Sequence, residues 1–220
     1  MPFTVTAASK DNPLLAMLVL EQLEQRAVDG VDPEVLEGAG WLGYDLDKLW
    51  LDFEMQRADG QTQVSEWQLR YSRAILPYWD WQLGLRRDFE PGPRRNWLAI
   101  GLNGLAPYWF EVDISLFLGR SGRSALRAEA EYELMLTQRW ALVPEIEVNA
   151  HAHNDMKTGV GSGLSEIEAG LRLRYEVRRE FAPYIGINWE KAYGNTKRFE
   201  REAGERSEEG ALVFGLRAWF

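Results

Sequence analysis

Carboxylates recur at every second position in Arg127-Ala128-Glu129-Ala130-Glu131-Tyr132-Glu133-Leu134 and again in Pro144-Glu145-Ile146-Glu147-Val148, with small or apolar residues between them. A strand turns successive side chains to opposite faces, so each segment presents one apolar and one densely anionic face. Such rows either face water on a soluble sheet or line a lumen, where they would be cation ligands. The chain's only histidines stand close together in His151-Ala152-His153-Asn154-Asp155-Met156. Imidazole with thioether suits copper, and imidazole with carboxylate suits several divalent metals. The candidate ligands are therefore His151, His153, Asp155 and Met156, with Glu129, Glu131, Glu133, Glu145, Glu147, Glu111, Asp113 and Glu168. The plainer reading of the histidine segment is a polar loop facing solvent. Catalysis has little support: there is no Gly-x-Ser-x-Gly elbow or His-Glu-x-x-His pair, and His153 with Asp155 lacks a partner to position water. No enzyme activity and no required cofactor are expected.

The composition limits what can position these groups. With 34 acidic and 25 basic residues, net charge −9 and pI near 4.9, the chain disfavours nucleic acid and anionic headgroups and favours cations. There is no cysteine, so neither disulfides nor thiolate metal sites are available. The longest apolar run, Leu14 to Leu20, is far short of the roughly 20 residues a membrane helix needs. Any spanning of a membrane must therefore be by strands. Met1-Pro2 is not followed by a charged-then-apolar signal region, the pattern expected of a trimmed mature form. Ten tryptophans, eight tyrosines and nine phenylalanines would suit the aromatic girdles of a barrel.

Period-two alternation marks strands near 35–44, 48–57, 65–74, 79–88, 95–105, 109–118, 124–134, 140–150, 164–175, 181–190 and 211–220. A twelfth near 17–27 could equally be an amphipathic helix on propensity. A strand is preferred there because closing a single-chain barrel usually needs an even number. Pro144 falls inside a strand and calls for a bulge. Short connections at 45–47, 76–78, 106–108, 137–139 and 178–180 alternate with longer ones at 58–64, 89–94, 151–163 and 191–210. Alternating short and long connections are the mark of an outer-membrane barrel with short periplasmic turns, longer extracellular loops and both termini periplasmic. The expectation is an all-β, single-chain antiparallel transmembrane barrel of about 12 strands over residues 14–220, preceded by an extension at 1–13, monomeric and in the bacterial outer membrane. The rival is a soluble acidic β-sandwich with its carboxylates in water.

Clean apolar stripes, such as Leu49-Leu51-Phe53-Met55, Leu98-Ile100-Leu102 and Ile114-Leu116-Leu118, would face lipid. The opposite parity would line a lumen with Asp52, Glu54, Glu66, Asp80, Asp88, Glu111, Asp113, Glu129, Glu131, Glu133, Glu145, Glu147, Glu166, Glu168 and Glu190. Only Arg70, Arg86, Arg127, Arg172, Arg174 and Arg217 share that parity. Carboxylates two apart on one strand sit about 7 Å apart, a repulsion of about 2 kcal/mol at an effective dielectric of 20, which protons or cations from solution must offset. Twelve tilted strands enclose a backbone diameter of roughly 24 Å and a free bore of around 10 Å. That bore suits ions or small solutes, unless an acid–arginine network plugs it. The rows at 129–133 and 145–147 would lie on adjacent strands, facing one another across the loop that carries both histidines.

Taken together, several stretches resemble the copper resistance protein B family of outer-membrane proteins over nearly the whole chain. They include Lys48-Leu49-Trp50-Leu51, Leu69-Arg70-Tyr71-Ser72-Arg73-Ala74-Ile75, Gly104-Leu105-Ala106-Pro107-Tyr108-Trp109-Phe110-Glu111-Val112-Asp113 and Gly170-Leu171-Arg172-Leu173-Arg174-Tyr175, with Arg217-Ala218-Trp219-Phe220 at the end. The resemblance implies a barrel in a copper-handling system that binds and passes copper, or one that sequesters it and docks a partner. A periplasmic multicopper oxidase and copper carriers are the implied partners. It also implies a Met- and His-rich capture segment ahead of the barrel, of which little stands in this sequence.

Overall fold

The computed structural model describes residues 12–28 and 30–220; most of the extension expected at 1–13 lies outside the described residues. The strands are β1 (Leu15–Ala27), β2 (Glu34–Gly43), β3 (Asp47–Ala58), β4 (Gln61–Leu76), β5 (Trp79–Glu90), β6 (Arg95–Ala106), β7 (Phe110–Gly119), β8 (Ser124–Glu131), β9 (Leu134–Met135), β10 (Trp140–His151), β11 (Gly163–Tyr175), β12 (Phe181–Ala192) and β13 (Glu208–Trp219), with one helix, α1 (Gly194–Ala203). Consecutive strands pair antiparallel, β8 and β9 together form one stave along β10, and β1 pairs β13. The result is a closed barrel of twelve staves. Closure leaves no strand edge, the condition for backbone polar groups to survive in lipid.

The alternation predicted from sequence is realised. Leu83, Leu85, Leu98, Ile100, Leu102, Ile114, Leu116, Ile185, Ile187 and Phe214 are all exposed on the outer wall. Apolar exposure on this scale far exceeds what a protein surrounded by water tolerates and forms a belt for lipid. Inside, the wall is mostly polar, with a small cluster of Trp97, Ala99, Phe117 and Ala125 and scattered buried valines such as Val35 and Val143.

Four expectations are corrected. The loop expected at 58–64 is a two-residue turn, Asp59-Gly60, with positive φ at both positions (51° and 70°), which is hairpin geometry that suits the twist of the flanking strands. The stretch 191–210 is not a plain loop, since it holds α1. Pro144 produces no bulge: Glu145 pairs Glu131 and Leu142 pairs Leu134 in unbroken register. Tyr132 N–H still donates to Pro144 O (3.1 Å). The missing proline N–H breaks only the return bond, which interrupts the stave at Tyr132-Glu133. Finally, the histidine loop joins β10 to β11, whereas the two glutamate rows are joined through β9 and the short turn after it.

Bulges do occur elsewhere, in the β3–β4 and β4–β5 ladders and, nearer the site, in β1 and β11. Glu21 is an extra residue in β1 relative to both β2 and β13, so Glu21 and Gln22 both turn inward. In β11, Ser165 is extra relative to β10, and its hydroxyl donates to Asn149 O (2.8 Å).

Candidate functional site

Register brings carboxylates side by side across six staves. Asp113 pairs Glu129, Glu129 pairs Glu147, Glu147 pairs Glu168, Glu168 pairs Glu190 and Glu190 pairs Glu209. A second row runs Glu111, Glu131, Glu145, and a third runs Glu37, Glu54, Glu66, Asp88. Like charges directly opposite on neighbouring strands destabilise a sheet, so the arrangement needs cations or protons to offset it.

Arginines supply part of the need from two lattices. On the β3–β8 side, Arg70 reaches Asp52 (2.9 Å) and Asp113 (3.0 Å), Arg86 reaches Glu66 (2.6 Å) and Asp88 (2.7 Å), and Arg127 bridges to Glu66 (3.1 Å). Arg86 and Arg127 also lie over the Phe117 ring at 4.5 and 5.9 Å. On the other side, Arg172 binds Glu24 (2.9 Å) and Glu145 (2.6 Å), and Arg26 binds Glu24 (2.9 Å) and Glu168 (2.8 Å). Arg217 binds Glu21 at 2.7 Å, and Arg174 binds Glu133. Glycines seat these long side chains: a Cβ on Gly170 would stand 2.5 Å from Arg172 Nη1, and one on Gly84 would stand 2.9 Å from Arg70 Cγ.

Between the lattices runs a set of carboxylates that no arginine holds. Among the described residues Glu37, Glu54, Glu131, Glu166 and Glu190 make no ion pair, and Glu129 has only Arg127 at 3.9 Å. Glu166, Glu168 and Glu190 bring ligand oxygens within 4.8 Å of one another. The lumen has a chamber of about 360 Å³ toward the long loops and one of about 210 Å³ toward the end that carries both termini. Glu37 and Glu129, from opposite sides of the wall, line both chambers.

The long-loop mouth is partly covered. His151 Nδ1 meets Ser165 Oγ at 2.9 Å, so the β11 bulge sets the imidazole at the rim, and His153 lines the same chamber. Asp155 is not a free ligand. Arg95 donates to it twice (2.9 and 2.7 Å) and Arg123 stands 3.6 Å away, which fastens the loop across the mouth. Met156 is 77% exposed and outside the chamber. α1 is pinned to the same loop by Thr196, whose Oγ1 accepts the Gly161 N–H (2.9 Å). Glu200 of α1 lines the chamber, and burial, with Glu190 and Glu205 nearby, pushes its carboxyl up to about 7.

Of the ligands expected from sequence, Glu111, Asp113, Glu129, Glu131, Glu145, Glu147 and Glu168 share the lumen with His151 and His153. Glu133 is taken up by Arg174. Glu21, Glu24, Glu37 and Arg26 also line the lumen but were not expected there. The signal for the β1 residues was hidden by the bulge at Glu21. Glu37 stands in a glycine-rich strand that alternates weakly.

Residues 14–220 match the family model described as copper resistance protein B precursor (CopB). The chain belongs to the copper resistance protein B family. It is 41% identical over 213 residues to copper resistance protein B of Escherichia coli, covering 97% of this chain and 72% of that one. A copper resistance protein B homolog of Pseudomonas syringae pv. tomato is 40% identical, with coverages of 96% and 71%. Among solved structures, the NanC porin superposes with TM-score 0.61 at 12% identity, covering 93% of this chain and 99% of that one. The KdgM porin gives 0.57 at 11%, covering 94% and 99%. At such identities the two porins speak for the barrel fold alone, so the copper association of this family member rests on the sequence matches.

Proposed function

We propose that this member of the copper resistance protein B family sits in the bacterial outer membrane with its long loops outward and passes copper through its lumen. On this reading it is a transport or binding protein rather than an enzyme. Copper meets His151 and His153 at the mouth, enters the Glu166–Glu168–Glu190 cluster, and moves by Glu147 and Glu129 to Asp113, Glu111 and Glu131. Glu145 flanks this path. The supporting observation is the paired row from Asp113 to Glu190, which crosses from one chamber to the other with too few arginines to neutralise it. Passage needs binding that is weak and spread over many sites, which a row of equivalent carboxylates offers. Liposomes that hold a copper-sensitive dye should respond to external copper when they carry the protein. An equal response from empty liposomes would refute passage.

A second reading is a non-conducting barrel that sequesters copper and docks a periplasmic multicopper oxidase or copper carrier. It is favoured by the arginine bridges that span the bore between distant strands, such as Arg172 to Glu24 and Arg127 to Glu66. Stoichiometric copper binding without flux would support it.

A further inference from the structure

Arg86 and Arg87 are consecutive on β5, so strand alternation sends them to opposite faces. Arg86 turns inward to Glu66 and Asp88, and Arg95 at the start of β6 is held by Asp155. Arg87 on β5 and Arg94 in the turn before β6 are instead exposed. Their guanidinium carbons lie 4.9 and 5.7 Å from the Phe89 ring centroid, one from each side in sequence, and among the described residues neither forms an ion pair.

The height of these groups on the wall matters. Leu69 pairs Leu85 within the apolar belt, and two residues along, toward the long loops, the exposed Trp67 pairs Arg87. Arg87 therefore stands where the belt gives way to an aromatic, the level of the membrane–water interface. A charge on the lipid face is costly at the midplane and tolerated only near this level. Two guanidiniums there without an ion pair are free to take an anion from the surroundings.

We propose that Arg87, Phe89 and Arg94 form a docking site on the outer wall for a phosphorylated glycolipid, the lipid A of the outer leaflet. Its phosphate binds the two guanidiniums and its acyl chains lie along Trp67 and Leu85. The guanidinium fork matches phosphate geometry, and a phosphate monoester carries more than one charge where a phospholipid diester carries one, which suits a pair of arginines. The inference rests on the outer-membrane placement proposed above, with the long loops outward.

The test uses the whole chain, purified in detergent and shown to be folded by heat-modifiable migration. It is titrated by native mass spectrometry with diphosphoryl lipid A, with dephosphorylated lipid A and with phosphatidylglycerol. Diphosphoryl lipid A should be retained, the other two should not, and R87Q/R94Q should bind it about 30-fold more weakly. R73Q, which alters an exposed arginine at the opposite end of the barrel, should bind like the wild type. Equal retention by R87Q/R94Q, or equal binding of phosphatidylglycerol, overturns the site. Copper flux measured on the same proteins separates the two proposals: a barrel that discriminates lipid A but passes no copper keeps this site and loses the transport reading.

Discussion

Replacing Glu129 with glutamine should make the barrel more stable and, at the same time, a poorer binder of copper. Glu129 faces Asp113 on one side and Glu147 on the other, and it lines both lumen chambers. Its side chain is 41% exposed, so the dielectric of a water-filled lumen is the appropriate one. At about 5 Å each like-charged neighbour then costs about 1 kcal/mol. The two neighbours together cost about 2 kcal/mol, and Arg127 at 3.9 Å from Glu129 returns about 1 kcal/mol of attraction that disappears with the charge. A net gain of about 1 kcal/mol is left, readable as a higher urea midpoint in lipid vesicles by tryptophan fluorescence. A divalent ion about 4 Å from the carboxylate gains about 2 kcal/mol even at that dielectric, so calorimetric copper affinity should fall about 30-fold and flux should fall with it. Opposite signs separate this outcome from simple misfolding, which would lower both. A folded E129Q protein with unchanged copper affinity, or with lower stability, would refute the view that the row is a strained cation path.

R172M should cost about 3–5 kcal/mol of unfolding free energy by the same urea assay, because Glu24, 2% exposed, keeps only Arg26; R172M/E24M should recover most of the loss. Glu200 titrates at about 7 in the folded chain against an ordinary 4.5, so the folded state keeps a proton that the unfolded state has lost between those values. Stability therefore falls as pH rises through that window, and E200Q should raise the melting temperature at pH 8 while leaving it unchanged at pH 4. D155N should loosen the loop held by Arg95 and Arg123, which would show as faster limited proteolysis within 152–162 and larger ion conductance in planar bilayers.

The staves were legible because lipid on one side and a polar lumen on the other enforce strict period two, as in Leu98-Ala99-Ile100-Gly101-Leu102. The region 17–27 looked partly helical for a physical reason: the bulge at Glu21 inserts one residue and shifts the parity, so the apolar spacing changes midway along β1. The glutamate rows were visible in the sequence, but their partners were not. Arg172 and Glu24 are 148 residues apart, and only closure of the barrel brings them to 2.9 Å. The same closure decides which carboxylates are held by arginine and which are left for an ion. Met156 sat at a plausible spacing from the histidines, but loop geometry rather than spacing determines where a side chain beyond a strand end points.

The single unpaired residue at Glu21 also bears on how the barrel tolerates changes in length. Deleting it would remove the bulge and the carboxylate that Arg217 holds, and the two halves of β1 would then fall into one continuous alternation. Gln22 would follow Leu20 directly, with Val19, Glu24 and Arg26 still turned inward and Leu18 and Leu23 still turned to lipid. The bulge thus marks the place where β1 can lose a residue without turning either half over.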